Sequence, residues 1–407
     1  MMTIQLLLIL LLLLIQNSIE IHHKSDIIKE WYPYNNDSIT ISLHKDMIDE
    51  YQFTVNINNN DCKPNSNKNR TSIDHFIERE IGYDEILIEL IGGNMLSFLG
   101  KYAYCGTYHK TFTLSKTGMY DAKATLLSVS TKNHVVLDQE AMVLMKDTIH
   151  LNKTFGKFCP KHVNGVWTSI NDSISSSPKL LPSPSSSSSC MEYALNYYWD
   201  SGYNCGFPEI LQATASTILS NVTINCIGDG NMSYLCSLLL KWACNIVTSD
   251  NHHLKTPSDN ELCPNLTVLY TNDDTCRTLP NNNNSFTIAN CGHISSTIEH
   301  FKAIIESVAS RSSSSSSSSS LLWLEMAPLL LSKVESLRSM EMKNRYAAQH
   351  FSISKTNIVI VPTFHSLLPF YKVCENINNN DDNHKIFVPI YQEMLRQIKK
   401  MKESRNE

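Results

Sequence analysis

From residue 221 to the carboxyl terminus, apolar runs of strand length alternate with longer stretches of helical period, and this rhythm restricts the fold of the 407-residue chain more than any other property. Residues 222–227, 266–270, 286–289, 321–324 and 358–361 read as strands, almost continuously apolar as strands covered on both faces must be. Residues 232–242, 297–308, 331–347 and 388–401 read as the helices between them. Strand–helix alternation predicts an α/β unit with a parallel sheet sandwiched by helices. Ligands of such sheets bind at the carboxyl ends of the strands, so the residues that follow each strand are where chemistry is expected.

The preceding part follows another pattern. Between residues 31 and 151 short alternating segments rich in β-branched and aromatic residues, at 39–43, 51–55, 111–114 and 122–129, predict an all-β, immunoglobulin-like sandwich over residues 25–152. Tyr120, in Gly118-Met119-Tyr120-Asp121-Ala122, is either a tyrosine corner pinning a loop at the sandwich edge or an ordinary strand tyrosine. Asn runs at 58–60, 281–284 and 378–380 and Ser runs at 185–189 and 312–320 cannot bury apolar area and read as surface loop insertions.

The compartment follows from the amino terminus and the cysteines. Residues 6–15 are uninterruptedly apolar and give way to Gln16-Asn17-Ser18, the pattern of a signal peptide over residues 1–18. Because no Lys or Arg precedes that core, a type II membrane anchor through residues 5–15 is the alternative. No later run is apolar enough to span a bilayer, so the mature chain is expected to be secreted or to occupy the lumen of the endoplasmic reticulum or Golgi. Twelve cysteines predict disulfides in that oxidising compartment. Sequons at Asn36, Asn69, Asn152, Asn171, Asn221 and Asn265 are candidate glycosylation sites, and Asn231 and Asn283 also match the motif. The net charge of -5, with basic residues clustered only near Lys399, Lys400 and Lys402, excludes a phosphate-tracking stripe, so nucleic acid is not an expected partner. The pairs His22-His23 and His252-His253 lack metal-ligand spacing; neither a metal nor a cofactor is expected.

Three short motifs fall at strand ends or near the terminus. Gly228-Asp229-Gly230 links the first parallel strand to its helix, the kind of passage that lifts a nucleophile from a sheet beside helix N-terminal amides. Asn290-Cys291-Gly292-His293 ends the third, and Asp381-Asp382-Asn383-His384 places a carboxylate three residues before an imidazole it can orient. Taken singly, each is also compatible with a plain turn, a solvated loop or a satisfied histidine.

In this order the motifs resemble the PC-esterase branch of the SGNH hydrolase superfamily, which includes the neurexophilin and PC-esterase domain proteins and the trichome-birefringence-like polysaccharide O-acetyltransferases. Cys159, Gly165, Trp167, Cys190, Tyr198, Trp199, Asn204 and Cys205 are similar to the family's cysteine-bearing lead-in, and the likeness covers about residues 155–403 of an SGNH/PC-esterase-like domain at 155–407. The resemblance implies that Asp229, Asn290, Gly292 and His293 contribute to an oxyanion or ligand-binding site. It also implies that Asp381 and His384 are the orienting acid and the base. Where the family has its nucleophilic serine this chain has Gly230, and where an arginine is common it has Ser233. Glycine has no oxygen to attack an ester, so the resemblance implies a catalytically degenerate protein that binds a glycan or acylated carbohydrate. Two alternatives stand beside it. One is an active glycan O-acyltransferase or acetyl-esterase in which His384 activates a hydroxyl or water. The other is an extracellular adhesion or ligand protein that works through its β-sandwich.

Overall fold

The computed structural model describes residues 39–45, 51–57, 84–104, 107–112, 116–130, 135–151, 166–170, 196–200, 209–245, 262–273, 275–277, 279, 285–291, 297–314, 320–328, 337–354, 358–371 and 384–406. The leader, the sequons at Asn36, Asn69, Asn152 and Asn171, and the predicted site residues Gly292, His293 and Asp381 lie outside them. The chain divides into two compact units, one of Met1–Ile88, Leu99–Thr113 and Ala122–Asp147, the other of Glu89–Phe98, Leu114–Asp121 and Thr148–Glu407.

The amino-terminal part is built of strands alone among the described residues, as its β-branched and aromatic content requires. Strands β1 (Ile39–Lys45), β2 (Tyr51–Ile57), β5 (Lys101–Tyr104) and β6 (Thr107–Phe112) form a four-stranded sheet in the order β1-β2-β6-β5, antiparallel throughout. A six-stranded sheet has the order β10-β9-β4-β3-β7-β8, with β3 at Asp84–Ile91, β4 at Asn94–Leu99, β7 at Gly118–Ser130, β8 at Val135–Leu151, β9 at Val166–Ser169 and β10 at Tyr197–Asp200. Tyr120 makes the corner bond: its phenol, wholly buried, donates to the Lys116 carbonyl at 2.7 Å and accepts from the Asn94 amide at 3.2 Å. Lys116 is four residues upstream, so the ring clamps the loop that leads into its own strand.

The second unit contains the parallel sheet. Its strands are β11 (Thr223–Gly228), β12 (Thr267–Asn272), β13 (Ser285–Asn290), β14 (Ser320–Leu324) and β15 (Ile358–Val361), in the order β12-β11-β13-β14-β15, every neighbouring pair parallel. The helices are α1 (Gln212–Leu219), α2 (Gly230–Cys244), α3 (Ile298–Ser314), α4 (Leu337–Ile353), the one-turn α5 (Phe364–Leu367) and α6 (His384–Asn406). Strand alternation divides the core between two faces. Ile224, Cys226, Phe286, Ile288, Leu322 and Leu324 join one cluster with residues of α1, α2 and α6. The intervening Trp323 packs edge-on against Phe351 of α4, with ring centroids 5.5 Å apart, so helices cover both faces of the sheet.

Two local features were not legible beforehand. Helix α1, of sequence QATASTIL, mixes β-branched and hydroxyl residues that are indifferent helix formers. It is held from outside: Lys402 of α6 donates from Nζ to the carbonyls of Ile218 and Ser220, at 3.3 and 2.9 Å, satisfying the acceptors a helix end leaves open. The lead-in Trp167 stacks edge-on against Trp199 and Phe370 and donates its indole N–H to the Ser366 carbonyl at 2.8 Å, a bond across 199 positions of sequence.

Candidate functional site

The chain steps outward from β11 to β12 on one side and to β13 on the other, so the strand order reverses between β11 and β13. That reversal opens the crevice in which doubly wound sheets receive ligands. Two of the predicted motifs lie at its carboxyl edge: Gly228 is paired in register with Asn290.

Gly228 is required there. Its φ is +154°, and a Cβ would stand 2.5 Å from the Asn290 carbonyl oxygen and 2.9 Å from Met232 Cβ, so no side chain fits between the strand end and the helix. Asp229 then caps α2, its Oδ1 accepting the Met232 amide at 3.3 Å, the third amide of the helix. Gly230 is the first residue of α2 and carries no side chain. Cys226 and Cys236 are joined in a disulfide, which ties β11 to α2 across this turn. Ser233, at the position where the resemblance leads one to expect an arginine, is 4% exposed within α2.

The strand ends on either side complete the edge. Tyr270 of β12 donates its phenol to the Asp229 carbonyl at 2.6 Å, with the Gly228 carbonyl 3.2 Å away, and so pins the turn. Burial first, and the negative field of Asp229 second, push the Tyr270 phenol up to about 12, so it stays a donor at any physiological pH. The disulfide Cys276–Cys291 ties the loop after β12 to the residue that follows Asn290. Asn290 is 4% exposed; its Nδ2 donates to the Glu325 carbonyl at 3.3 Å, while its Oδ1 is buried with no hydrogen-bond partner among the described residues.

Glu325 directly follows β14. Its carbonyl also accepts the Thr363 hydroxyl, at 2.5 Å, and its carboxylate Oε2 accepts the amides of Thr363 and Phe364 at 3.2 and 3.3 Å. Desolvation by burial is the largest influence on this carboxyl and pushes it up to about 7. The two amides oppose the rise and the like charge of Glu341 adds to it. Neither Tyr270 nor Glu325 stood out in the sequence. A signal existed for the second: a lone acidic residue immediately after the buried run 321–324 occupies a carboxyl-edge position by construction.

Of the residues expected from the sequence, then, Asp229, Gly230 and Asn290 meet at one edge. His384 is the first residue of α6, with its side chain outside the described set, as Asp381, Gly292 and His293 are entirely. The sequons Asn221 and Asn265 lie at the opposite, amino edge, both exposed in the left-handed region with φ of 57° and 56°; Asn265 Nδ2 donates to Asn221 Oδ1 at 2.9 Å. A third disulfide among the described residues joins Cys244, the last residue of α2, to Cys263, and these three bridges agree with an oxidising compartment. Among the described residues no helix is long and apolar enough to cross a membrane, and no group of three or more His, Cys, Asp or Glu converges as a metal site. The edge brings together a capped helix start, a buried amide oxygen with no hydrogen-bond partner among the described residues and a carboxyl whose midpoint burial pushes up to about 7. No family model, curated protein or solved structure matches the chain.

Proposed function

We propose that this is a secreted or lumenal protein of the SGNH/PC-esterase type that binds a plain or acylated glycan at the carboxyl edge of its parallel sheet and has lost serine-based turnover. The reading is carried by one observation. The Gly228-Asp229-Gly230 turn occupies the crevice where the strand order reverses, packed against Asn290, and residue 230 at its apex has no side chain. An SGNH-type nucleophile would stand at that apex, and without it only binding and polarisation by neighbouring donors are left.

The test uses the full secreted chain and its Gly230→Ser variant. A fluorophosphonate label reports a reactive serine, and hydrolysis of a small acetyl ester reports turnover. Arginine at the buried position 233 would disrupt the helix start, so the single substitution is the cleaner probe. The expected result is no labelling and no hydrolysis by the natural chain, and labelling by Gly230→Ser. Hydrolysis by the natural chain that disappears in His384→Ala would refute the proposal and favour an active acyltransferase or esterase.

A further inference from the structure

At the amino edge of the parallel sheet the fold brings two sequons to one place. Asn221-Val222-Thr223 leads into β11 and Asn265-Leu266-Thr267 into β12, and the two run side by side in the same direction, Thr223 opposite Thr267 in the parallel register. The ladder continues upstream of the strands: the Thr267 amide donates to the Val222 carbonyl and the Asn221 amide to the Pro264 carbonyl, each at 2.9 Å. Val222 and Leu266, the middle residues of the two motifs, are 4% and 3% exposed, and Cys263, two residues before Asn265, is bonded to Cys244. These contacts fix the two backbones relative to each other. Both asparagines are exposed, in the left-handed conformation that asparagine tolerates better than most residues.

Their side chains meet. With Asn265 Nδ2 2.9 Å from Asn221 Oδ1, the two Nδ2 atoms stand within about 5.5 Å of each other, since Asn221 Oδ1 and Nδ2 share one amide carbon. That separation is less than the width of one N-acetylglucosamine with its acetamido group. In N-glycan transfer, Nδ2 forms a bond to the anomeric carbon of a lipid-diphosphate-linked oligosaccharide, the bond from that carbon to the diphosphate oxygen breaks, and one amide proton leaves. The product keeps its Oδ1 acceptor and one N–H, so a modified asparagine still pairs with a bare neighbour. A second sugar on that neighbour would collide with the first while the pair is made. Turning the side chains apart breaks the pair and still leaves both sugars rooted on backbones one strand spacing apart, about 4.8 Å.

We propose that Asn221 and Asn265 form a single N-glycosylation site of the folded protein, one carrying the glycan and the other keeping a bare amide as its hydrogen-bond partner. The inference rests on the lumenal part of the reading above and adds an occupancy rule to it: two sequons, one glycan. Both asparagines are open to transfer in the nascent chain, before β11 and β12 pair, so the rule acts at folding. A chain modified twice does not close the amino edge and is absent from the secreted pool.

The experiment expresses the full chain in eukaryotic cells that keep N-glycans in high-mannose form. The secreted protein is trimmed by an endoglycosidase to one N-acetylglucosamine per occupied site, and intact mass counts the sites. Thr223→Val, Thr267→Val and the double variant remove the hydroxyls that the sequons require while keeping the β-branched shape and both asparagines, so the pair itself persists. The expected result is that each single variant carries as many sugars as the natural chain and the double variant carries one fewer. Should a variant not be secreted, glycopeptide occupancies at Asn221 and Asn265 of the natural chain, expected to sum to one, decide instead. Loss of a sugar in either single variant, an unchanged count in the double variant, or occupancies summing to more than one would overturn the inference and leave the lumenal reading standing. A natural chain with no sugar at any sequon would overturn the lumenal reading, and the inference with it.

Discussion

Replacing Glu325 by glutamine should change how stability depends on pH, with no ligand present. In the folded chain this carboxyl keeps its proton up to about pH 7, whereas in the unfolded chain it loses it near 4.5. Between those values the folded state binds the proton and the unfolded state does not, so stability is greatest below pH 4.5, falls as pH rises through the window, and levels off above 7. At about 1.36 kcal/mol for each pH unit, that interval corresponds to about 3 kcal/mol, an upper value because the residue as a whole is only half-buried. Glutamine is neutral throughout and keeps an acceptor for the Thr363 and Phe364 amides, so the variant lacks this slope. Denaturant unfolding of both proteins, disulfides intact, at several values from about pH 4 to about pH 8 gives the difference directly. The variant should gain on the natural chain by roughly 2 to 3 kcal/mol across the window. Curves that stay parallel within about 0.5 kcal/mol would show that the folded chain does not hold that proton, and the account of the site's electrostatics would be wrong.

Two further substitutions test the scaffold. Gly228→Ala places a methyl group 2.5 Å from the Asn290 carbonyl at a φ that L-residues avoid, and should cost at least about 2 kcal/mol in thermal or denaturant unfolding; a neutral effect would mean the strand end is not packed as described. Tyr120→Phe leaves the Lys116 carbonyl and the Asn94 amide without their phenolic partner and should cost about 1 to 3 kcal/mol by the same measurement; less than about 0.5 kcal/mol would reduce the corner to an ordinary packed ring.

The parallel sheet was the most readable part of the chain. Runs such as 321–324 are apolar on both faces, which leaves little besides a strand between two helix layers, and five strand-length runs separated by helical stretches leave few topologies. The turn at Gly228-Asp229-Gly230 was readable for the same local reason, since a glycine, an N-capping aspartate and a helical run are contiguous. Partnership across distance was hidden. Nothing near Trp167 says that its indole seeks the Ser366 carbonyl, nor does the segment around α1 show that Lys402 will cap it. Tyr270 and Glu325 escaped notice because their roles arise from what the neighbouring strand ends present, and strand order is not written in any one strand. The Tyr120 corner was visible as a possibility, yet only the hydrogen bond to Lys116 separates a clamp from a core ring.

The bridge from Cys226 to Cys236 encloses the Gly228–Gly230 apex in a covalent ring of strand, bend and helix. A ring that small admits few shapes even when its surroundings loosen, so any ligand of this edge would meet a rim already shaped before contact. Association then forfeits little disorder on the protein's side, and differences among ligands would be expressed mainly in how long each stays bound.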